Sequence, residues 1–569
     1  MTVYDITQKV LKKAITDSLD SLKASGELNF SEIPEFILER PREKEHGDYS
    51  TNCAMLMAKQ ARLAPRVIAD KIVSNMKTEG TFISEVSVAG AGFINFKLDN
   101  SHLYEVIKQI DEQGENYGRV NVGNGEKVMV EFVSANPTGP MHMGNARGGA
   151  LGDSLAEVLS WAGYDVTREF YINDAGNQIE KFGCSLEARY IQALKGEDAF
   201  EFPEDGYHGE DIKKHAADFI ELYGDKYLEA ESEERKKALV EYALKKNIDA
   251  LKVDLKKYRI DYDVWFKESV LHESGEARKV VDELTARGAT YEKDGAVWFK
   301  ASDYMENVEP EEVKDEVLVR ANGFLTYFAV DIAYHKNKFI TRGFDKVINI
   351  WGADHHGHVA RLKAAMRALG IDENRLEVIL MQLVRLMRGG EVARMSKRTG
   401  KAITLNDLIE ETGIDAARFF FNMRQANSHF DFDLDLAVEQ SNNNPVFYVQ
   451  YAHARIMSIV RLAEEQGLRI PELSKVNLNL LTDEKELELL RLLARFPEEI
   501  KAAATLEEPS RITRFAIELA GGFHSFYGAC KVRGVEEELS LARLTLVRAA
   551  GIVIKNALTM LSISAPDKM

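Results

Sequence analysis

The segment 127–172 constrains the fold of this chain more than any other part of the sequence. A buried strand (KVMVEFV) is followed by a loop at Ser134–Pro140, a helix from about Gly144 to Trp161, and a second strand (VTREFYI). Continuous apolar runs of this length predict strands covered on both faces. Strand, loop, helix and strand in this order form the opening unit of a nucleotide-binding parallel sheet.

The same alternation returns later in the chain. The strand KVINIW precedes a helix at 356–369 and the strand LEVILMQLV, whereas the charged segment of about 180–320 is mostly helical in pattern and interrupts the sheet as an insertion. From about Leu405 to the end, nearly every segment has the spacing of an amphipathic helix. These patterns predict a Rossmann-like parallel-sheet catalytic domain with a helical insertion, followed by a helical-bundle C-terminal domain.

An N-terminal unit precedes the sheet. Helical spacing at 6–22 and 54–76 and a strand pattern at 86–98, interrupted by Gly90 and Gly92, predict a small α+β domain. The whole chain is therefore a multidomain protein of α/β and all-α parts. We expect domains at 1–110, at 111–405 with the insertion at about 180–320, and at 406–569, which includes a connecting segment.

Composition narrows the function classes. The chain has 569 residues, too many for one core, and its formal net charge of −18 argues against indiscriminate nucleic-acid binding. No apolar run approaches the ~20 residues that span a bilayer, so no membrane partner is expected. Three widely separated cysteines favour a reducing, cytoplasmic setting. We expect the chain to act as a monomer.

The loop before the first helix carries the first chemical motif. Its sequence, SANPTGPMHMGN, ends at His142, Gly144 and Asn145 beside the predicted helix N-terminus. A helix N-terminus offers free backbone N–H groups and a partial positive charge to a phosphate. His142 can donate a hydrogen bond to a phosphate oxygen, and Gly144 allows close approach. An isolated motif of this kind is more often a plain helix cap.

A basic segment carries the second motif. Arg394, Lys397, Arg398 and Lys401 fall within eight residues, with glycines on both sides. Such a segment can close over a polyanion, since lysine supplies a point charge and arginine can bind two oxygens. Taken alone, it is more often a solvated turn.

Together the two motifs resemble the HIGH and KMSKS signatures of class I aminoacyl-tRNA synthetases. Here Asn145 replaces the last histidine and keeps a donor, and Arg394 replaces the first lysine and keeps its charge. The resemblance implies His142 and Lys397 as catalytic residues. It implies an ATP site at His142, Gly144, Asn145, Met395, Ser396 and Lys397.

Two further segments resemble the arginyl branch of this family. They are VEFVSANP, which contains Glu131, Ser134 and Asn136, and FLTYFAVD, which contains Tyr327 and Asp331. Tyr327 and Asp331 are four residues apart, which puts both on one face of a helix. A guanidinium needs a carboxylate with a neighbouring acceptor, which this pair would supply. Asp331 could instead cap or salt-bridge a surface helix. The resemblance implies that Glu131, Ser134 and Asn136 line the rest of an arginine site.

The segment WGADHHGH after the strand KVINIW has two interpretations. The resemblance implies that Gly352, Asp354 and His355 border the ATP site. Three histidines and an aspartate could also bind a metal or mark a phosphoesterase. A phosphoesterase requires further spaced aspartates, and the sequence offers no convincing set. We therefore expect no protein-held metal.

The flanking domains also resemble those of arginyl-tRNA synthetases. GDYSTN and GFINF resemble the N-terminal domain that contacts the tRNA D-loop. This resemblance implies Phe93 and Asn95 as tRNA contacts. Phe93 could instead simply pack in the core. YVQYAHAR resembles the anticodon-binding domain, which implies Tyr448 and Arg455, and the terminal Met569 resembles family termini that reach the anticodon.

The resemblance implies ATP-dependent formation of arginyl-adenylate and its transfer to tRNA(Arg), with L-arginine, tRNA and ATP with Mg²⁺ as partners. Three alternatives stay open at this point. A nucleotidylyltransferase of the same superfamily would act on a small acid without RNA, and would not need the flanking domains. A phosphoesterase would centre on Asp354–His356. An inactive RNA-binding relative would not need His142 and Lys397.

Overall fold

The computed structural model describes residues 2–41, 43, 46–305, 314–393 and 403–569. The N-terminal unit consists of α1 (Val3–Ala24), β1 (Leu38–Glu39), β2 (Tyr49–Thr51), α2 (Cys53–Ala61), α3 (Pro65–Asn75), β3 (Ile83–Ala89), β4 (Phe93–Leu98) and α4 (Ser101–Gln113). Its strands form an antiparallel sheet in the order β1-β2-β4-β3. The buried faces of α1–α3 and of the strands form a core of their own, whereas the buried face of α4 belongs to the core that it shares with the C-terminal helices.

Two elements of this unit are shorter than the sequence pattern suggests. The helical pattern at 54–76 divides into α2 and α3 because Arg62 has a left-handed φ of 52° and Pro65 begins a new helix. The strand pattern at 86–98 divides into the hairpin β3–β4 at Gly90 and Gly92. A Cβ on Gly92 would lie 2.8 Å from the carbonyl carbon of Pro65, so only glycine allows this approach.

The central part of the chain is built on one parallel sheet. It begins with β5 (Lys127–Glu131), α5 (Met143–Trp161), β6 (Asp165–Ile172), α6 (Gly176–Lys195), α7 (Glu210–Tyr223), α8 (Ser232–Lys257), β7 (Val264–Lys267), α9 (Ser269–Glu273), α10 (Glu276–Ala286), β8 (Thr290–Lys293), β9 (Ala296–Phe299), β10 (Glu316–Val319) and α11 (Tyr327–Lys336). It continues with β11 (Lys346–Gly352), α12 (His356–Ala368), β12 (Leu376–Met381), β13 (Val384–Arg388) and β14 (Glu391–Val392).

The five central strands are all parallel and have the order β12-β11-β5-β6-β7. Chain order therefore reverses between β5 and β11. In open sheets of this kind, ligands bind outside the carboxyl ends of the strands at the reversal point. Helix α5 packs closely on this sheet: a Cβ on Gly152 would lie 2.2 Å from the ring of Phe132. The predicted parallel sheet is confirmed.

The segment 180–320 contains strands as well as the predicted helices. β7 pairs in parallel with β6 and thus belongs to the central sheet, while β8, β9 and β10 form a separate antiparallel sheet. These strands have four residues each. Runs this short do not show a period that separates strand from helix.

The C-terminal part is largely helical, as predicted. Its elements are α13 (Leu405–Thr412), α14 (Ile414–Asn422), β15 (Phe430–Asp433), α15 (Leu434–Val438), α16 (Pro445–Glu465), α17 (Glu484–Thr505), α18 (Ser510–Ala529) and α19 (Glu537–Met560). The long helices α16–α19 pack together around a buried apolar core. β15 is the exception to the helical pattern and pairs in parallel with β13. No helix among the described residues combines the length and apolarity needed to cross a bilayer.

Candidate active site

Helix α5 begins at the reversal point of the sheet, and His142 is its N-cap. The Nδ1 atom of His142 accepts a hydrogen bond from the backbone N–H of Gly144 at 3.1 Å, and the N–H of Asn145 donates to the His142 carbonyl at 2.9 Å. Because Nδ1 is an acceptor, the proton of the neutral ring lies on Nε2. The exposed imidazole therefore offers a donor beside a helix N-terminus, the arrangement that suits a phosphate oxygen.

The chain returns to this loop directly after the basic segment. His142 forms an antiparallel bridge with Thr404, the N–H of Met143 donates to the Ile403 carbonyl at 3.1 Å, and the N–H of Leu405 donates to the Met141 carbonyl at 3.0 Å. Arg394, Met395, Ser396, Lys397, Arg398 and Lys401 lie outside the described residues. The residues that follow them are thus hydrogen-bonded to the loop that carries His142.

The end of β11 supplies the other predicted ATP residues. A Cβ on Gly352 would lie 2.4 Å from Oδ1 of Asp354, so the backbone of Gly352 and the carboxylate of Asp354 lie side by side at this turn. Asp354 and His355 are exposed, and the ring of His355 lies 5.7 Å from that of Trp351. Within the described part of the chain, no group of three or more His, Cys, Asp or Glu side chains is arranged to hold a metal ion.

Glu131 and Ser134 lie together at the end of β5. Glu131 is buried, the Ser134 hydroxyl donates to its carboxylate at 3.0 Å, and the N–H of Tyr171 donates to the Ser134 Oγ at 3.1 Å. Val133 and Ser134 have positive φ values of 69° and 41°. Such conformations cost about 1–3 kcal/mol each and persist only where the surrounding contacts hold them. They are found most often at functional sites.

Asn136 and Tyr327 both face the start of α6. Asn136 is exposed, and its amide donates to Oε1 of Gln178 at 2.7 Å. Tyr327 is 44% exposed, and a Cβ on Gly176 would lie 3.6 Å from its ring. The first turn of α6 thus lies between the loop after β5 and the first turn of α11.

Asp331 lies one turn after Tyr327 on α11, as the spacing predicts. Nε2 of His358 is 2.9 Å from Oδ2 of Asp331, and no described residue is hydrogen-bonded to Oδ1. The carboxylate is only partly buried, so Oδ1 can accept a hydrogen bond from a further donor. A guanidinium is one group that could take it.

Sequence reasoning missed several side chains that surround these residues. Burial raises the pKa of Tyr171, and the nearby carboxylates of Glu268 and Asp331 raise it further. The Tyr171 hydroxyl donates to Glu268 at 2.9 Å, and burial also raises the pKa of Glu268. Lys338 donates to the carboxylate of Glu131. These partners lie far apart in sequence, and no local pattern joins them.

The predicted tRNA contacts of the N-terminal unit differ in exposure. Phe93 begins β4 and is 41% exposed, whereas Asn95 is 7% exposed and accepts a hydrogen bond from the Ser50 hydroxyl at 2.7 Å. Phe93 thus has a free ring surface, and Asn95 is already held by its neighbour.

The C-terminal candidates lie on or near α16. The ring of Tyr448 is 5.1 Å from that of His524, and the guanidinium of Arg455 lies 4.6 Å above the ring of Tyr527. Tyr448 and Arg455 are half-buried, whereas Tyr451, on the next turn, is exposed, and no sequence pattern singled it out. Met569 is exposed at the end of a tail whose Pro566 carbonyl is 3.0 Å from Nδ1 of His453.

The parallel sheet, its reversal point and the helix capped by His142 define the catalytic fold of a class I aminoacyl-tRNA synthetase. Residues 106–452 match the family described as tRNA synthetases class I (R), catalytic domain. Residues 9–98 match the arginyl tRNA synthetase N terminal domain, and residues 449–569 match the DALR anticodon binding domain.

Known relatives agree with these family matches. A curated protein of Ruminiclostridium cellulolyticum named Arginine--tRNA ligase is 59% identical over 565 residues and covers 99% of each chain. One of the same name from Caldanaerobacter subterraneus is 60% identical over 568 residues, covering 99% of this chain and 100% of the relative. The Thermus thermophilus arginyl-tRNA synthetase structure shares the fold, with a TM-score of 0.70, 22% identity, and coverage of 99% and 100%. The chain belongs to the arginyl-tRNA synthetase family.

Proposed function

We propose that this chain joins L-arginine to tRNA(Arg) at the expense of ATP, giving AMP and pyrophosphate. Family membership supports the reaction. One structural observation carries the proposal: the loop with His142 and the residues that follow the basic segment are hydrogen-bonded at the reversal point of the sheet. A triphosphate lying against α5 would then meet cations from the basic segment.

The ATP site in this proposal has two sides. One is the N-terminus of α5, with His142, Gly144 and Asn145, and the other is the turn after β11, with Gly352, Asp354 and His355. Met395, Ser396 and Lys397 of the basic segment would contact the phosphates. Mg²⁺ would enter with ATP as part of the substrate, since it is commonly held by phosphates and water with few protein ligands.

The arginine site in this proposal lies between β5, α6 and α11. Asp331 and Tyr327 would bind the guanidinium, because Asp331 has an accessible carboxylate oxygen and Tyr327 an exposed ring one turn away. Ser134 and Asn136, next to Glu131, would hold the amino and carboxylate groups. A site built around a carboxylate penalises substrates without a matching cation.

Activation needs no general base in this scheme, because the substrate carboxylate is already ionised at neutral pH. A carboxylate oxygen forms a bond to the α-phosphorus as the bond to the bridging oxygen breaks, and pyrophosphate leaves with that electron pair. His142 and Lys397 would stabilise charge on the phosphoryl oxygens. In the second step, a terminal ribose hydroxyl of the tRNA attacks the arginyl carbonyl, AMP leaves, and the hydroxyl proton is released.

The tRNA would lie along both flanking domains. Phe93 and Asn95 would contact the D-loop, while Tyr448, Arg455 and Met569 would contact the anticodon. The exposed ring of Phe93 supports this proposal more directly than the buried amide of Asn95.

We also propose the domain division at 1–110, 111–405 and 406–569, a monomeric state and a cytoplasmic location.

One assay separates the proposal from its alternatives. ATP–pyrophosphate exchange is measured with each amino acid, with and without tRNA, and is followed by tRNA charging. We expect exchange and charging with arginine only. Exchange with a small acid and no effect of tRNA would favour a nucleotidylyltransferase. Metal-dependent phosphoester hydrolysis without exchange would favour a phosphoesterase, and tRNA binding without either activity would favour an inactive relative.

A further inference from the structure

Lys338 is a fully buried lysine that the proposed mechanism does not use. It lies in the π-helical turn Asn337–Thr341 after α11, with 0% of its surface exposed. Its Nζ donates to Oε2 of Glu131 and, at 3.1 Å, to Oδ1 of Asn349. A charge buried so completely requires compensation, which the carboxylate of Glu131 provides. Single π-helical turns are also frequent at functional sites.

The contacts of Lys338 continue to the other end of the proposed arginine site. Nδ2 of Asn349 is 2.8 Å from Nε2 of His335, and Nδ1 of His335 is 2.7 Å from the carbonyl oxygen of Asp331. A carbonyl only accepts, so Nδ1 of His335 carries the proton and Nε2 accepts from Asn349. Burial and the nearby Lys338 hold the pKa of His335 well below its usual range, which keeps this ring neutral.

An unbroken hydrogen-bond chain therefore joins the two halves of the site. It runs from the Asp331 carbonyl through His335, Asn349 and Lys338 to Glu131. The Ser134 hydroxyl extends it from Glu131 towards β6. Satisfied buried networks of this kind fix the relative positions of the elements that they connect.

The hydrogen-bond chain also distinguishes Glu131 from Asp331. Glu131 is buried and paired with Lys338, so its charge is compensated within the protein. Asp331 is half-exposed and contacts His358. Of these two, Asp331 is thus the carboxylate available to a guanidinium, while Glu131 orients Ser134.

We propose that Lys338 is a positioning residue that sets the distance between Asp331 and Ser134 and thereby selects the side-chain length of the substrate. This inference rests on the proposed arginine site. A fixed spacing favours arginine over homoarginine, which has one more methylene, and over norarginine, which has one fewer. Loss of Lys338 frees Glu131 and α11 from each other, so the site accepts the wrong length more readily.

The test compares Lys338→Met with the parent chain in ATP–pyrophosphate exchange in the presence of tRNA(Arg). We expect the KM for arginine to rise about 10-fold or more, because small misplacements of binding groups cost up to about 100-fold. One methylene commonly changes discrimination by roughly 10–200-fold. We therefore expect the kcat/KM ratio of arginine to homoarginine to fall at least about 10-fold in this variant. General destabilisation would lower both rates and leave the ratio unchanged.

A matched control and a double variant exclude a merely structural role. Lys336, on the last turn of α11, pairs with Glu283 and does not touch Glu131. Lys336→Met should keep both the KM and the ratio of the parent. Glu131→Gln combined with Lys338→Met removes both buried charges, so we expect its KM to be no higher than that of Lys338→Met alone.

Each outcome decides the inference. An unchanged ratio in Lys338→Met, the same loss in Lys336→Met, or a higher arginine KM in the double variant than in Lys338→Met would overturn it. If Lys338→Met does not fold, Asn349→Leu takes its place, because it breaks the same hydrogen-bond chain and keeps the ion pair of Lys338 with Glu131. It should also lower the kcat/KM ratio of arginine to homoarginine. An unchanged ratio in Asn349→Leu overturns the inference as well. Failure of the parent chain to activate arginine would instead overturn the proposed function.

Discussion

Substitution of Asp331 by asparagine removes one charge from the proposed arginine site and leaves the side-chain size unchanged. Oδ2 of Asp331 lies 2.9 Å from Nε2 of His358, and an amide oxygen can take the same place. What is lost is the charge-assisted bond to the guanidinium. A hydrogen bond to a charged group contributes about 1.5–3 kcal/mol, and each 1.4 kcal/mol is tenfold in affinity. The KM for arginine should therefore rise roughly 10- to 150-fold.

The assay is ATP–pyrophosphate exchange with tRNA present, over a range of arginine and of ATP concentrations. The KM for ATP should stay near the parent value, because Asp331 lies on α11 and the proposed ATP residues follow β5 and β11. Asp20→Asn, an exposed aspartate on α1, is the matched control and should behave like the parent. An arginine KM within about threefold of the parent corresponds to less than the smallest charged hydrogen bond. That result would refute the role of Asp331 and move the guanidinium site elsewhere.

Three further predictions test other parts of the structure. Lys397→Ala should lower adenylate formation by orders of magnitude, with little change in arginine affinity measured by equilibrium dialysis; a mild rate effect would contradict its catalytic role. His335 has a native pKa below its unfolded value, so the unfolded chain binds the extra proton below about pH 6.5 and stability falls there by up to about 1.4 kcal/mol per pH unit. Between pH 7.5 and 5.5, the Tm of the parent should therefore fall further than the Tm of His335→Gln. An equal fall in both proteins would count against a neutral buried ring. Gly152→Ala should lower the apparent Tm by roughly 2–4 °C or more, because its Cβ would meet Phe132 at 2.2 Å, whereas helix propensity alone predicts a rise.

Local sequence patterns were sufficient for several features of this molecule. The helix that begins beside His142 follows from a loop rich in glycine and proline before a long helical run, and the structure has it at Met143–Trp161. Tyr327 and Asp331 were expected on one face of a helix, and both lie on α11. Such features depend on residues close together in the chain, which share the backbone geometry that the pattern reveals.

The tertiary structure decided the contacts between distant segments. β7 has a four-residue pattern that could belong to several structures, and only its pairing with β6 made it part of the central sheet. The ion pair of Lys338 with Glu131 and the contact of His358 with Asp331 likewise join separate elements. The sequence by itself determined which residue types were present and which local elements carried them. Their partners depended on how the elements packed, because burial and long-range hydrogen bonds are properties of the folded chain.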